Sequence, residues 1–529
     1  MKRKIFNSYL ALITLIAFIA IGGGCMDENV NPNEATDEMM DRDDLRVGSF
    51  FSQMLRNVFI VGEGFDADYQ ITQNLAGDIF SGYMGSSGLW HSNSNHTTYN
   101  LISDWYDAAF NYSFENVMAP WASIKQYTQE EFPQKYALAT IVKVAGMHRI
   151  TDMYGPLPYT NFGSGALKNP YDSQEEIYMS FFRELDEAIA ILMEFYSQSP
   201  NARALSDDYD FIYSGNTLSW IKFANTLRLR LAIRISYVNP AKAKEEAEAA
   251  VHHPVGVMTL SGDAAVLNKS NRLSYRHPLY VICYEFTDVK MGATMDSYLN
   301  GYGDPRISNY FNRDPINGLY RGIRTGITIT DKSVYAQGPF SGLNVTPETP
   351  VVWMNPAESW FLRAEGALNG WDMGGTPQEL YESGIRTSFS YCGLSGADAY
   401  LNNATNVPAA YTDPVRTSNN SAALGTVTIK WDDAATTEQK QERIITQKWI
   451  AMYPDGQEAW SEFRRTSYPK IFPVVVNNSG GRINTAEQVR RLPFPSTEYR
   501  DNSENMPQAV SLLGGADHGG TKLWWDKKN

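Results

Sequence analysis

The sequence is poor in cysteine and in basic charge. Its 529 residues contain 3 cysteines, which are too few for a disulfide scaffold and include no CxxC pair to begin a zinc site. We expect Cys283 and Cys392 to be small buried apolar residues. The 45 Lys and Arg residues are outnumbered by 59 Asp and Glu, which gives a formal charge of −14 and a pI near 5.1. Because nucleic-acid binding needs a basic face, this charge argues against nucleic acid as a partner.

Motifs typical of enzymes are also lacking. The sequence contains no HExxH, GxGxxG or P-loop pattern. Residues 393–397 come nearest to the GxSxG turn of a hydrolase, but they lack the final glycine and follow a predicted helix instead of a strand. Asp and Glu are abundant, and a glycosidase needs only a suitably spaced pair of carboxylates, so the sequence is also compatible with a glycoside hydrolase. We expect a protein without catalytic activity.

Apolar and aromatic residues are plentiful. Hydrophobic residues make up 43% of the chain, with 12 Trp, 31 Tyr and 24 Phe. Burial of this much apolar area outweighs chain entropy and excludes wholesale disorder. Since single cores stop growing at roughly 250–300 residues, the length predicts more than one core or subdomain.

The amino terminus has the three parts of a secretory signal. Basic residues at positions 2–4 precede a mostly apolar stretch that ends in three glycines and Cys25. We interpret residues 1–24 as a lipoprotein signal peptide and Cys25 as the lipidated first residue of the mature chain. A retained membrane helix is the disfavoured alternative, because too few apolar residues precede the glycines. Residues 25–44 are acidic and are predicted to be a tether.

The apolar spacing over 45–260 is helical. Apolar residues recur at intervals of three and four over 175–193, behind a capping Ser173, which predicts an amphipathic helix. Similar spacing predicts further helices over 103–129, 135–153 and 220–235, and after Asn239. Paired helices joined by short turns predict a mainly α fold, a scaffold of tetratricopeptide-like helical hairpins, although no strict repeat of about 34 residues is present.

The region 261–529 is rich in loops. Helical periodicity is lost over 262–350 and 400–428, where Gly, Pro, Asn and aromatic residues dominate. We expect long loop insertions with short strands there. Helical spacing returns as a further pair over 359–391 and again over 438–452. Long loops in a compact protein are usually functional, so this region is predicted to carry the ligand site and to pack on the scaffold.

Several arginines lie on predicted helices with an apolar face. Such arginines usually form ion pairs between helices, and we favour this role over ligand binding. The arginines are Arg228, Arg230, Arg234, Arg464 and Arg465, and for the first three the candidate partners are Glu358, Glu365, Glu458 and Glu462.

Six segments, spread in order across the chain, resemble one family. They are DMYGPLPY (152–159), WIKFANTLRLRLAIR (220–234), DPR (304–306), AESWFLRAE (357–365), ITQKWIAMYPDGQEAWSEFRRTSYP (445–469) and RRLPFPSTEYRDN (490–502). With the lipoprotein signal, they make the chain similar to the SusD/RagB nutrient-binding outer-membrane lipoproteins of Bacteroidetes, in the SusD-like branch.

The resemblance implies a function and a partner. It implies a non-catalytic lipoprotein, anchored in the outer membrane at the cell surface, that captures oligosaccharides and delivers them to a SusC-like TonB-dependent transporter. The acidic residues directly after Cys25 are similar to the surface-export signal of Bacteroidetes lipoproteins. The resemblance also implies a ligand face formed by loops of the amino-terminal and central regions.

Two aromatic loops are the predicted ligand site. Sugars present flat CH faces edged with hydroxyls, so a binder needs exposed rings to stack on and planar polar groups to bridge the hydroxyls. Gly and Ser residues break any helix over 83–99, and a second aromatic loop follows Asp304, with Tyr310 and Phe340 among its rings. The predicted ligand-binding residues are Tyr83, Trp90, His91, Tyr320, Arg321 and Tyr335.

Three alternatives stay open at this point. They are peptide capture by a RagB-like lipoprotein, a lipid-anchored glycoside hydrolase, and a purely structural assembly protein. No cofactor is expected. Acidic loop residues such as Asp263 or Asp288 could hold Ca²⁺, but the letters assign no metal site.

Overall fold

The structure is a computed structural model that describes residues 44–166 and 168–528. The predicted signal peptide, Cys25 and nearly all of the tether lie outside the described residues. The chain divides into two units, Met1–Arg46 and Val47–Asn529. None of the described helices is long and apolar enough to cross a membrane.

α-Helices account for most regular structure in the described chain. They are α1 (Leu45–Asn57), α2 (Asp66–Tyr69), α3 (Ser103–Ser113), α4 (Ala119–Thr128), α5 (Pro133–Tyr154), α6 (Gln174–Gln198), α7 (Thr217–Arg234), α8 (Pro240–His252), α9 (Pro278–Tyr280), α10 (Ala293–Tyr302), α11 (Ile307–Tyr310), α12 (Lys332–Ala336), α13 (Ala357–Leu368), α14 (Pro377–Tyr391), α15 (Ala397–Leu401), α16 (Thr437–Ala451), α17 (Gly456–Thr466), α18 (Ser496–Asp501) and α19 (Met506–Leu513). π-Helical segments occupy Gln70–Asp78, Phe114–Met118 and Val281–Glu285.

Successive helices pair as hairpins. α5 packs on α6, α7 on α8 and α13 on α14, while α7 also contacts α6 and α13. Local sequence fixes where these helices begin. Ser173 Oγ accepts a hydrogen bond from Glu176 N at 3.2 Å, and Glu176 Oε2 accepts one from Ser173 N at 2.8 Å, so α6 starts with a capping box. The predicted tetratricopeptide-like scaffold is confirmed.

Four short strands lie in or next to the loop-rich parts. β1 (Met84–Ser86) pairs antiparallel with β3 (Val289–Met291), and β2 (Ala265–Leu267) pairs antiparallel with β4 (Val351–Met354). The helices α9 to α12 in this region were not predicted, and α10 is the longest of them. α10 is buried on nearly every side, so it lacks the polar face from which a helical period is recognised.

The predicted ion pairs between helices are confirmed for two of the three arginines of α7. Arg230 binds Glu358 through two nitrogens, at 2.8 and 2.6 Å. Arg234 binds Glu462 at 2.5 Å and also pairs with Glu458. For Arg228 the predicted partner is wrong, because it faces α8 and pairs with Glu246 at 2.5 Å instead.

The other two arginines are confirmed as structural. Arg465 binds both carboxylate oxygens of Glu365 at 2.7 Å. Arg464 donates to backbone carbonyls and lies over the Trp460 ring, 3.6 Å from its centroid. Cys283 is buried, as predicted, and burial raises the pKa of its thiol, whereas Cys392 is half-buried.

α17 approaches the π-helical segment Gln70–Asp78 so closely that only glycine fits at the contact. A Cβ atom on Gly77 would lie 2.6 Å from the backbone nitrogen of Gln457. We expect Gly77→Ala to destabilise the protein by about 1–2 kcal/mol, because overpacking of about 1–3 kcal/mol exceeds the gain in helix propensity of up to about 1 kcal/mol. Chemical denaturation measures this change. Gly262→Ala is the control, since nothing lies within 4 Å of its added Cβ, and an equal loss in both variants would contradict the packing argument.

Candidate functional site

The candidate site is built around the loop that follows β1. We call residues 87–99 the Trp90 loop. It begins from the β1–β3 ladder and makes two 3-10 turns, His91–Asn93 and His96–Thr98. The second turn is closed by Asn95, whose Oδ1 accepts a hydrogen bond from Thr97 N at 2.9 Å. The loop is therefore tied down at both ends.

Three consecutive residues of the Trp90 loop have left-handed backbone conformations. φ is 48° at His91, 53° at Ser92 and 67° at Asn93. Non-glycine residues cost about 1–2 kcal/mol each in this region, so other contacts must hold the turn. Asn95 Nδ2 donates to Trp90 O at 2.9 Å, and the Asn93 side chain bonds to another loop. The turn thereby holds one shape and leaves His91 exposed.

The Trp90 indole is half-buried and is supported from two sides. It lies over Gly88, where a Cβ atom would come within 2.4 Å of the ring. It also meets the Trp105 indole of α3 edge to face, with centroids 5.8 Å apart and planes at 88°. The His91 ring contacts Trp105 at 5.8 Å as well. We call Trp90, His91 and Trp105 the aromatic platform; each of its rings is at least partly accessible to solvent.

His96 supports the platform from the protein interior. Its ring is buried and lies 5.0 Å from the Trp105 centroid. Burial lowers the pKa of His96 to about 4, so the imidazole is neutral at pH 7. His96 Nδ1 lies 3.1 Å from Leu75 O and therefore donates its hydrogen to that carbonyl. A neutral ring in a fixed orientation thus packs against Trp105.

The second predicted loop contains residues 311–331, between α11 and α12, and we call it the central loop. It packs directly against the Trp90 loop. Asn93 Nδ2 donates to Ile329 O at 2.9 Å, and Ile329 N donates to Asn93 Oδ1 at 2.9 Å. In addition, a Cβ atom on Gly85 would lie 2.2 Å from Ile323 O. The structure therefore brings together the two loops that the sequence singled out.

Tyr320 and Arg321 lie on this central loop and are partly exposed. The guanidinium of Arg313 lies 4.8 Å from the centroid of the Tyr320 ring, which stabilises the ring by a cation–π contact. Arg321 Nη1 is 3.9 Å from Asp296 Oδ1, and 37% of its side chain is exposed. This long ion pair leaves the guanidinium free to donate hydrogen bonds to a ligand.

Two predicted site residues are wrong, because they face the interior. Tyr83 is fully buried, donates its hydroxyl to Trp449 O, and packs against the Trp449 ring at 5.1 Å. Tyr335 is also fully buried and stacks on Phe340, 5.6 Å away with the planes at 17°. Tyr310 is buried too. These aromatic side chains anchor the loops to the core, and a ring with this role cannot contact a ligand.

A third loop borders the site, and sequence reasoning missed it. Asn478 N donates to Thr98 O at 2.7 Å, and Asn478 Nδ2 donates to Asn93 O at 3.1 Å. Val476 N donates to Gly326 O at 2.8 Å, so the same loop also touches the central loop. Trp105 was missed as well, because it falls in a predicted scaffold helix. Its position at the helix start, directly after the aromatic loop, is the signal that could have revealed it.

The two acidic residues considered for Ca²⁺ are occupied by protein donors. Asp263 accepts from Lys222 Nζ at 2.8 Å and from two backbone N–H groups. Asp288 accepts from Lys332 Nζ at 2.6 Å and from Gln70 at 2.9 Å. Within the described part of the chain, no three His, Cys, Asp or Glu side chains cluster as metal ligands.

The hydrolase-like segment 393–397 has a structural role. α14 ends at Tyr391, Gly393 has a left-handed φ of 67°, and α15 begins at Ala397. The segment is thus a turn between two helices, whereas a nucleophile turn leads from a strand into a helix.

The comparisons with known proteins match this architecture. The family model of SusD and RagB outer membrane lipoproteins matches residues 27–526, which gives the class of the protein: an outer-membrane lipoprotein on a helical scaffold. The chain belongs to this SusD-like family. The comparison with curated proteins gives no match.

Solved structures of SusD homologues superpose closely on the chain. A chitin-binding SusD homologue from Flavobacterium johnsoniae is 45% identical, with a TM-score of 0.88 over 92% of this chain and 99% of that chain. A homologue from Bacteroides uniformis is 40% identical, with a TM-score of 0.86 over 92% and 100%. One from Bacteroides vulgatus is 36% identical, with a TM-score of 0.86 over 92% and 99%.

Proposed function

We propose that this protein is a non-catalytic lipoprotein of the cell surface that captures an oligosaccharide and delivers it to a TonB-dependent transporter. The observation that carries the proposal is the aromatic platform. Its rings are held rigidly by loop contacts and by His96, yet they stay partly accessible. Burial of these rings alone would not require the left-handed turn that leaves His91 exposed.

The chemistry of the face suits a sugar chain. The flat CH face of a pyranose ring can stack on the Trp90 indole, and its hydroxyls can bond to the His91 imidazole, which lies against the same Trp105 ring. Chitin oligosaccharides are the preferred candidates, because the 45% identical homologue binds chitin. Their acetamido groups add a carbonyl acceptor and an N–H donor for such polar edges.

The anchor and the transporter complete the proposal. Acyl chains on Cys25 would keep the protein on the outer membrane, and the acidic tether 25–44 would let the folded part reach a neighbouring transporter. A shared membrane raises the effective concentration of the two partners without any new contact. Family membership supports the SusC-like partner.

Removal of the central ring tests the platform. We expect Trp90→Ala to weaken binding of chitohexaose by about tenfold, since the loss of one stacking ring is worth about 0.5–1.5 kcal/mol beyond its buried area. Trp90→Phe is expected to keep part of the affinity because a smaller flat face remains. Isothermal titration calorimetry measures both variants. Tyr127→Ala is the control, as this ring on α4 is 41% exposed.

A ligand screen separates the proposal from its rivals. Wild-type protein would be titrated with chitin, starch and xylan oligosaccharides and with mixed peptides. Binding of peptides alone would favour RagB-like capture. Release of shortened sugars on prolonged incubation would establish a hydrolase. Unchanged chitohexaose affinity in a folded Trp90→Ala variant would remove the platform from the ligand site.

A further inference from the structure

An open pocket of about 300 Å³ lies at the end of the Trp90 loop, between the start of α3 and three carboxy-terminal segments. Of the two loops from which the site was predicted, only the last residue of the Trp90 loop, Tyr99, lines it. Rings and hydrogen-bonding groups line it together: Tyr106, Phe494, Tyr499, Asn100, Arg482 and His518. The aromatic platform combines ring faces and planar polar groups in the same way.

Tyr499 is held in position while its ring stays accessible. The residue lies on α18 and is 45% exposed. Its hydroxyl donates to Asp517 Oδ2 at 2.8 Å. Asp517 is fixed in turn, because its Oδ1 accepts from Arg491 Nη1 at 2.5 Å and from Phe494 N at 3.0 Å. A ring with a fixed orientation loses little entropy when a ligand stacks on it.

Two further groups offer donors to a ligand in the pocket. The side chain of Arg482 is exposed. His518 Nδ1 accepts a hydrogen bond from Gly520 N at 3.1 Å, so in the neutral ring the hydrogen is on Nε2. Guanidinium and imidazole donors beside a ring suit hydroxyl or acetamido oxygens.

The pocket and the Trp90 loop share a wall. Asn100, which lines the pocket, donates from Nδ2 to Ser94 O at 3.2 Å. On the other side, Asn478 bonds to the Trp90 loop, and the next residue, Ser479, lines the pocket. Tyr106 of the pocket follows Trp105 of the platform directly in α3. The segments that line the pocket are therefore tied by hydrogen bonds to the loop that carries Trp90.

We propose that this pocket is a second sugar subsite, which takes a ring of the same oligosaccharide whose other end stacks on Trp90. The inference rests on the proposed function and adds to it a preference for longer chains. A disaccharide fills the platform alone, whereas a hexasaccharide engages both places. The second contact is then intramolecular and raises affinity through effective concentration.

Chain length is the variable that tests the subsite. Calorimetry would compare chitobiose and chitohexaose on wild-type protein, Tyr499→Ala, Tyr499→Phe and the control Tyr127→Ala. We expect Tyr499→Ala to lower chitohexaose affinity about fivefold, the equivalent of about 1 kcal/mol of lost stacking, and to leave chitobiose affinity unchanged. Tyr499→Phe keeps the ring but loses the bond to Asp517, so an intermediate loss is expected.

The outcomes are distinct. An equal loss for both sugars, or no loss for chitohexaose in a variant that melts like wild type, would overturn the second subsite while the platform stands. If wild-type protein binds neither chitobiose nor chitohexaose, a second subsite for chitin oligosaccharides is overturned. If it binds no glycan in the wider screen, the proposed function fails as well.

Discussion

Replacement of Arg234 by methionine is expected to lower the free energy of unfolding by about 3–5 kcal/mol, the usual cost of leaving a buried charge without its partner. Arg234 is almost fully buried where α7 meets α17. Its guanidinium faces three carboxylates: Glu462 at 2.5 Å, Asp152 at 3.3 Å, and Glu458. Methionine fills similar volume, so the loss is expected to come from charge and not from a cavity.

The surrounding charges explain why the effect is large. Burial alone would raise the pKa of Glu462, but Arg465, Lys448 and Arg234 together hold it well below its usual range. Burial raises the pKa of Glu458, against the pull of Arg234 and its other cationic neighbours. Without Arg234, Glu458 is left with Arg230 and Lys448 at 3.8 and 3.9 Å. The deficit is therefore expected to shrink at lower pH, where protonation removes the uncompensated charge on Glu458.

Chemical denaturation at pH 7 measures the change, and an exposed arginine provides the control. Arg500 pairs with Asp501 at 2.7 Å, but their side chains are 73% and 60% exposed. Arg500→Met is expected to leave the free energy of unfolding nearly unchanged, because exposed ion pairs contribute little to stability. The double variant Arg234→Met with Glu458→Gln should recover part of the loss, because it removes one unpaired carboxylate. Similar losses for Arg234→Met and Arg500→Met would contradict this account.

Cys25→Ala is expected to abolish lipid attachment and to remove nearly all of the protein from the outer-membrane fraction. The thiol of Cys25 is the proposed acylation site, and alanine offers no nucleophile for the acyl group. Stable anchoring needs two or more acyl chains, each contributing about 0.8 kcal/mol per buried CH₂, so their loss is expected to release the protein from the membrane. Metabolic labelling with a fatty acid, followed by membrane fractionation, measures both effects.

Cys392→Ala is the matched control for this experiment. Cys392 is a half-buried free thiol in the folded part, so its removal should leave both labelling and fractionation unchanged. Fatty-acid label retained by Cys25→Ala but lost from Cys392→Ala would place the anchor elsewhere in the chain and would contradict the proposed signal peptide 1–24.

Helical periodicity predicted the scaffold with little error. The helix predicted over 175–193 lies within α6, that over 135–153 within α5, and that over 438–452 coincides with α16 to within one residue. α6 and α16 each begin with a capping box, and α5 begins at a proline, which are local features of the chain. α10 is short, follows Gly292 without a side-chain cap and is buried nearly all round, so it carries no such local signal.

The site was only partly predictable. Sequence context correctly placed Trp90 and His91 on a loop that breaks the helical pattern, and the structure leaves both at least partly exposed. The same context also predicted Tyr83 and Tyr335 as ligand-binding residues, but both are buried in the core. Whether a loop ring stacks on a ligand or on the protein depends on what lies opposite it, and for Tyr83 that is Trp449, far away in the chain.

Periodicity, helix caps and the order of motifs lie along the chain, and from them most scaffold helices, their pairing, several buried ion pairs and the family could be predicted. Which aromatic rings face solvent became known only from the folded chain. The fold also brings Asn478, more than 370 residues away in the chain, into hydrogen bonds with the Trp90 loop. Solvent exposure is fixed by contacts between residues hundreds of positions apart, and no local pattern of residue types records those contacts.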